Sequence, residues 1–224
     1  MRIVAVFEKG ERIRHIGHLD IQRAVQRGLR RSGLPVAYSQ GFNPHILITF
    51  ASALSTGACG LREIMDVRMA GEVTEAEFIE KMNRAMPPEL QVKEARRVED
   101  RHPALMASLK AAAYDLVIRD AGQAEKIAAA VPEMLGRETI PAIRKTKTGM
   151  KECDIKPLIY ALNVRGQHLY ATLALTEREA CKPDMLMAAL QREAGLTEEV
   201  RTLVIRTALY GEDEAGTLIP LEKL

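Results

Sequence analysis

Tryptophan is absent from this chain of 224 residues, and phenylalanine and tyrosine together supply only 4% of it. That scarcity argues against a platform on which several exposed rings read single-stranded bases. Cysteine is scarce too. Cys59, Cys153 and Cys181 are odd in number and far apart, with no CxxC or CxxxCxxC spacing. Neither a disulfide framework nor a zinc site or iron–sulfur cluster built from these thiols alone is expected. No run of 18 apolar residues is present to span a membrane, and the chain opens on strand-like MRIVAVFEKG without the basic–apolar–small order of a secretory leader. A cytoplasmic protein with no membrane association is the expectation. The formal charge is only +2, so any affinity for nucleic acid must come from local patches. The phosphate-loop pattern GxxxxGKS/T, the dinucleotide pattern GxGxxG and the nucleophile pattern GxSxG do not occur, so nucleotide-triphosphate hydrolysis and serine-hydrolase chemistry are not supported.

The length allows one large or two small domains, and 47% hydrophobic residues is ordinary for a soluble fold. Period-2 and period-3.6 patterns alternate twice in one order. Strand-like 2–8 is followed by a helical pattern over 17–32 and strands over 46–51 and 63–69. Thr74 and Glu77 then form a capping box for a helix over 75–86, stopped by Pro87 and Pro88, before a strand over 90–97. A polar linker with a short helix fits 98–111. Beyond it, 113–120 reads as strand, 122–135 as helix despite Pro132, and 139–155 as a hairpin. Strands 158–165 and 168–175 pair across Gly166 and Gln167, a helix follows over 183–194, and 201–210 is a last strand. This is α+β: two tandem ferredoxin-like βαββαβ domains, residues 1–98 and 112–224, the second with an inserted basic hairpin.

The densest chemistry lies between residues 12 and 45. One face of the first helix carries Asp20, Arg23, Arg27 and Arg30 or Arg31; the other carries Ile21, Ala24, Val25, Gly28, Leu29 and Ser32. The Arg23/Arg27 and Arg27/Arg31 pairs fall at i,i+4, where like charges cost about 0.2–0.5 kcal/mol each. Such a face is either solvated surface or an anion site. Its clustering with Arg14, His15, His18, Tyr38, Gln40, Asn43 and His45 favours the site. Gly41, within SQGFNPH, makes a turn whose N–H groups suit a phosphate, although such a sequence also serves as a plain turn.

Two imidazoles and a carboxylate, His15, His18 and Asp20, suit a metal in type, but no closed ligand set is visible and none is expected. A histidine among His15, His18 and His45 is also a candidate acid or base for phosphodiester cleavage by 2′-OH attack. A scaffold histidine packed on the sheet is the commoner fate. In the second half, Arg144, Lys145, Lys147, Lys151 and Lys156 crowd the hairpin against Glu152 and Asp154. Lysines there suit phosphate backbones, and equally guard an exposed sheet edge.

The strings IGHLDIQRAVQRGLRRSGLPVAYSQGFNPH and RKTKTGMKECDIKPLI resemble the radical SAM-linked family of uncharacterised bacterial proteins, over nearly the whole chain. The resemblance implies a functional partnership with a radical SAM protein, as its C-terminal extension or as a neighbouring product. Two positions depart from the family pattern: Ile46 and Leu47 stand where a Pro-Lys pair is expected, and Gly28 where alanine is expected. A looser, fold-level likeness links the chain to CRISPR repeat-processing endoribonucleases, which share two ferredoxin-like domains and an early HLD…R…RR helix.

The expected function is that of an accessory protein, not itself an enzyme, that binds RNA or another phosphate-rich ligand and presents it to a separate radical SAM enzyme. S-adenosylmethionine and the iron–sulfur cluster are then expected on that partner alone. Two rivals remain: a metal-independent endoribonuclease using a histidine, and a docking module that never touches nucleic acid.

Overall fold

A computed structural model describes residues 1–146 and 149–224. Its elements run β1 Arg2–Lys9, α1 His18–Arg31, β2 Ile48–Phe50, β3 Cys59–Arg68, α2 Glu75–Ala85, β4 Val92–Val98, α3 Leu105–Ser108 and β5 Ala111–Ile118. They continue through α4 Ala121–Gly136, β6 Pro141–Thr146, β7 Gly149–Asp154, β8 Ile159–Arg165, β9 His168–Ala174, α5 Pro183–Glu193, β10 Thr202–Glu212 and β11 Leu218–Pro220. The architecture is α+β. None of the described helices is long and apolar enough to cross a membrane.

The chain forms two compact units: Met1–Leu109 together with Ala208–Leu224, and Lys110–Thr207. In the first, β1 lies between β4 and β3 and β2 pairs with β3, all antiparallel. β1 is apolar without a break from Ile3 through Phe7 because both of its faces are covered; all five of these residues are buried. α1 lays Ile21, Val25, Gly28 and Leu29 on the core, and α2 adds the fully buried Phe78 and Met82. The Thr74 hydroxyl accepts from the Glu77 N–H at 3.2 Å, capping α2.

Three boundaries differ from the sequence reading for physical reasons. The strand expected over 46–51 shortens to β2 because Ile46 bridges back to Tyr38. β3 starts four residues early, where Gly60 pairs with Lys9. The last 17 residues, which periodicity grouped with the second half, pack with the first unit. There β11 pairs with the end of β10, Leu221 is wholly buried, and Glu222 meets Arg62 at 2.6 Å. Gly211 allows that approach: a Cβ there would overlap the Leu224 side chain and sit 3.1 Å from the Ser108 carbonyl.

In the second unit, β5 pairs with β9 and β9 with β8, antiparallel, and β10 lies beside β5. Ile127, Leu186 and Leu190 of α4 and α5 are fully buried. Asp120 caps α4 by accepting from the Gln123 N–H at 2.8 Å. β6 and β7 form a separate two-stranded ribbon.

Candidate functional site

The approach to α1 is built on a buried cation. Lys9, 2% exposed at the end of β1, donates from Nζ to the Arg14 carbonyl at 2.9 Å, and the Gly57 N–H reaches the same oxygen at 2.8 Å. A buried ammonium must find such acceptors, so Lys9 fixes the loop that carries Arg14 and His15. Glu63, 4% exposed on β3, lines one narrow space with Lys9, His18 and Phe50. Sequence reasoning missed both residues. Their only signal is a charge set among apolar strand residues, Lys9 at the end of β1 and Glu63 in the middle of β3.

Each side chain expected at this site has its own surroundings. The Arg14 guanidinium turns to Glu11 at 3.3 Å. His15 is exposed, with no hydrogen bond among the described residues. His18 is the first residue of α1; its Nε2 lies 3.0 Å from Gln22 Nε2, and its ring stands edge-on to Phe50 with centroids 5.6 Å apart. His45 is held elsewhere, its Nδ1 2.7 Å from the Ser39 hydroxyl. Among the described residues no three His, Cys, Asp or Glu side chains converge on a point where an ion would sit.

On α1 the arginines fall into two kinds. Arg23 is paired with Asp20 at 2.9 Å, and Arg31 donates to the Ala85 carbonyl at 2.6 Å, where α2 ends. The Arg27 and Arg30 side chains are exposed, and their guanidinium groups make no hydrogen bond or ion pair among the described residues. The last turn of a helix favours cations through its dipole, which steadies Arg30 and Arg31 and leaves Arg27 outside its reach.

The segment that carries Tyr38, Gln40, Asn43 and His45 is a small hairpin arm. Tyr38 bridges Ile46, and the Ser39 N–H donates to the His45 carbonyl at 2.8 Å while the His45 N–H donates back to the Ser39 hydroxyl at 3.1 Å. Gly41 has φ +122°, a conformation side chains rarely adopt, Phe42 beside it is fully exposed, and Gln40 and Asn43 are exposed.

In the second unit, Arg144 pairs in register with Lys151 and Lys145 with Met150. Much of this charge anchors the ribbon to the unit. Arg144 donates to the Ala180 carbonyl at 2.9 Å, and the Lys156 ammonium donates to the Arg137 carbonyl. The Asp154 carboxylate accepts from the Ile140 and Lys156 N–H groups at 2.7 and 2.9 Å, which holds its carboxyl below the usual range. Lys151 is exposed; Lys147 lies outside the described residues.

The sequence reading also passed over His168. Its Nδ1 lies 3.0 Å from both Asp115 oxygens, and its ring stacks on Tyr170 with centroids 5.9 Å apart. The signal was the period-2 spacing of His168 and Tyr170 on one strand face.

A family model described as an uncharacterized protein conserved in bacteria (DUF2344) matches residues 2–192, and the chain belongs to that family. Among curated proteins nothing matches it.

Proposed function

We propose that this member of the bacterial family binds RNA, or a ligand equally rich in phosphate, along the exposed face of α1. It then presents that ligand to a separate radical SAM enzyme, which carries the S-adenosylmethionine and the iron–sulfur cluster. One observation carries the binding half of the proposal. Arg27 and Arg30 are exposed cations without partners among the described residues, on a helix whose opposite side is locked into the core. Arg23 and Arg31 flank them, so a phosphodiester laid there meets guanidinium forks that match its geometry and relieves their mutual repulsion.

The strand orders β4-β1-β3-β2 and β10-β5-β9-β8 support reading the two units as tandem ferredoxin-like domains. That likeness raises the weight of RNA as the anion, as fold-level analogy only. The partner rests on the two motifs, residues 16–45 and 144–159, and on the spacing of the three cysteines, which makes no cluster site of this chain's own. A cytoplasmic location, with no membrane association, belongs to the same reading.

The test is RNA affinity of the full chain measured across a range of salt, for the wild type and for Arg27→Gln with Arg30→Gln. The double variant is expected to bind more weakly and to lose about one unit of salt slope for each phosphate contact removed. Equal affinity and equal slope would overturn the assignment of α1.

A further inference from the structure

The second unit carries helices on only one face of its sheet, and the other face is open and chemically organised. Burial alternates along its strands: Leu116 and Ile118 of β5 and Leu169, Ala171 and Leu173 of β9 are buried, while the residues between them are not. Two cross-strand rows therefore lie on the open face. One runs Asp115, Tyr170, Asn163; the next runs Val117, His168, Arg165. Tyr170 is 41% exposed at the centre of the first row. His168 stacks on it with an interplanar angle of 15°, and is itself fixed by Asp115, whose side chain is only 15% exposed. In the third row Ala113 and Ala161 flank Thr172, all too small to block a flat ligand.

Arginines crowd one end of this face. Arg165 ends β8, and Arg119 follows β5 with its N–H donating to the Arg201 carbonyl at 3.0 Å. Gln167, in the turn from β8 to β9, ties that end together, its side-chain amide reaching the Ile118 and Arg119 carbonyls at 3.0 Å each. Arg165 and Arg201 are exposed and make no ion pair among the described residues.

We infer that this face is a second binding site, specific for one unpaired base of single-stranded RNA. The base stacks on Tyr170, its polar edge within reach of the Asn163 amide, and its phosphate meets the arginine end. A sheet with a helix-covered back and an aromatic ring on its open front is a stacking surface that accepts any base through its π-face. Scarcity of aromatics excludes a many-ringed platform and is consistent with a site for one base, where a single tyrosine backed by an oriented imidazole is sufficient. The inference uses another unit and another chemistry from the α1 reading. It depends on bases, whereas α1 depends on phosphates.

The experiment compares three labelled strands with the full chain: r(A)8, an abasic strand of equal charge, and r(A)8 with an uncharged methylphosphonate backbone. Tyr170→Ala is expected to weaken r(A)8 about tenfold, with Tyr170→Phe near wild type. The same Tyr170→Ala loss should persist on the uncharged strand and be absent on the abasic one. Equal binding of r(A)8 by wild type and Tyr170→Ala, or binding of the abasic strand as tight as r(A)8, overturns the inference. Failure of the α1 reading is seen separately, as Arg27→Gln with Arg30→Gln leaving the abasic strand unaffected. Ultraviolet crosslinking of the unaltered protein to r(U)8 needs no variant to fold: the adduct is expected on the tryptic peptide 166–178, and an adduct confined to other peptides overturns the site.

Discussion

Gly28 of α1 and Met86 at the end of α2 are fitted to each other: a Cβ at position 28 would overlap the Met86 sulfur and lie 3.2 Å from its Cγ. A glycine inside a helix costs about 0.5–1 kcal/mol relative to alanine, so its presence needs this compensating contact. Gly28→Ala is therefore expected to destabilise the protein by about 1 kcal/mol, overpacking outweighing the gain in helix propensity. In a Met86→Ala background the same substitution should become stabilising. Chemical denaturation of the four proteins of that cycle checks the sign change; an unchanged sign would mean the glycine is there for another reason.

Asp20 neutralises one arginine of the proposed phosphate face. Its pair with Arg23 is exposed on both sides, 66% and 62%, and such pairs contribute about 0.5 kcal/mol or less. Asp20→Asn should cost little stability, including the small loss of a carboxylate from the first helical turn. RNA affinity should rise severalfold and the salt slope steepen, because Arg23 joins Arg27 and Arg30. Anisotropy titrations at two salt concentrations read both; weaker binding would show that Asp20 itself faces the ligand.

The parts of this molecule legible in its sequence are those set by neighbours along the chain. Ile21, Val25 and Leu29 recur at helical spacing and Thr74 precedes Glu77 by three, so the buried face of α1 and the cap of α2 follow from local pattern. Contacts to backbone carbonyls leave no such trace. Arg31 on Ala85, Arg144 on Ala180 and Lys156 on Arg137 read as free positive charge until the carbonyl is seen beside each. Gly28 looks like a defect until Met86 is placed. The tail is similar, since alternation along β10 says nothing about the company kept by Leu221 and Glu222.

Arg62 holds that tail by bonding two carboxylates at once. It meets Glu94 through two bonds of 2.6 and 2.8 Å, and Glu222, only 10% exposed, at 2.6 Å. The guanidinium holds the Glu94 carboxyl below the usual glutamate range. A carboxyl lowered on folding stabilises above its unfolded value, about 4.3, and loses that contribution as pH falls through the folded one. Arg62→Gln should thus lower stability by about 1–2 kcal/mol at neutral pH, leaving Glu222 short of its partner. The gap between the two proteins should narrow below about pH 4. Melting temperatures from pH 7 to 3 decide it; a constant gap would assign the loss to packing of the arginine stem.

The thiols report on each unit separately. Alkylation requires thiolate and access. Cys181 is 2% exposed, and burial, followed by Asp184 and Cys153, pushes its thiol up to about 12 against the pull of Arg144. Cys59 is 3% exposed and is also pushed up, chiefly by burial. Cys153, in β7, is half-buried, its thiol 3.6 Å from the Ala142 carbonyl. Iodoacetamide at pH 8 should therefore label native protein fastest at Cys153, with the buried Cys181 and Cys59 far slower, and Cys153→Ser should abolish the fast phase. Labelling of Cys181 at the rate of Cys153 would refute the burial assigned to it. In rising denaturant Cys59 and Cys181 become reactive only as their own units open. Because Cys59 lies in the first unit and Cys181 in the second, separate labelling midpoints are expected if the units unfold independently, and coincident midpoints if the C-terminal return to the first unit makes the chain unfold as one.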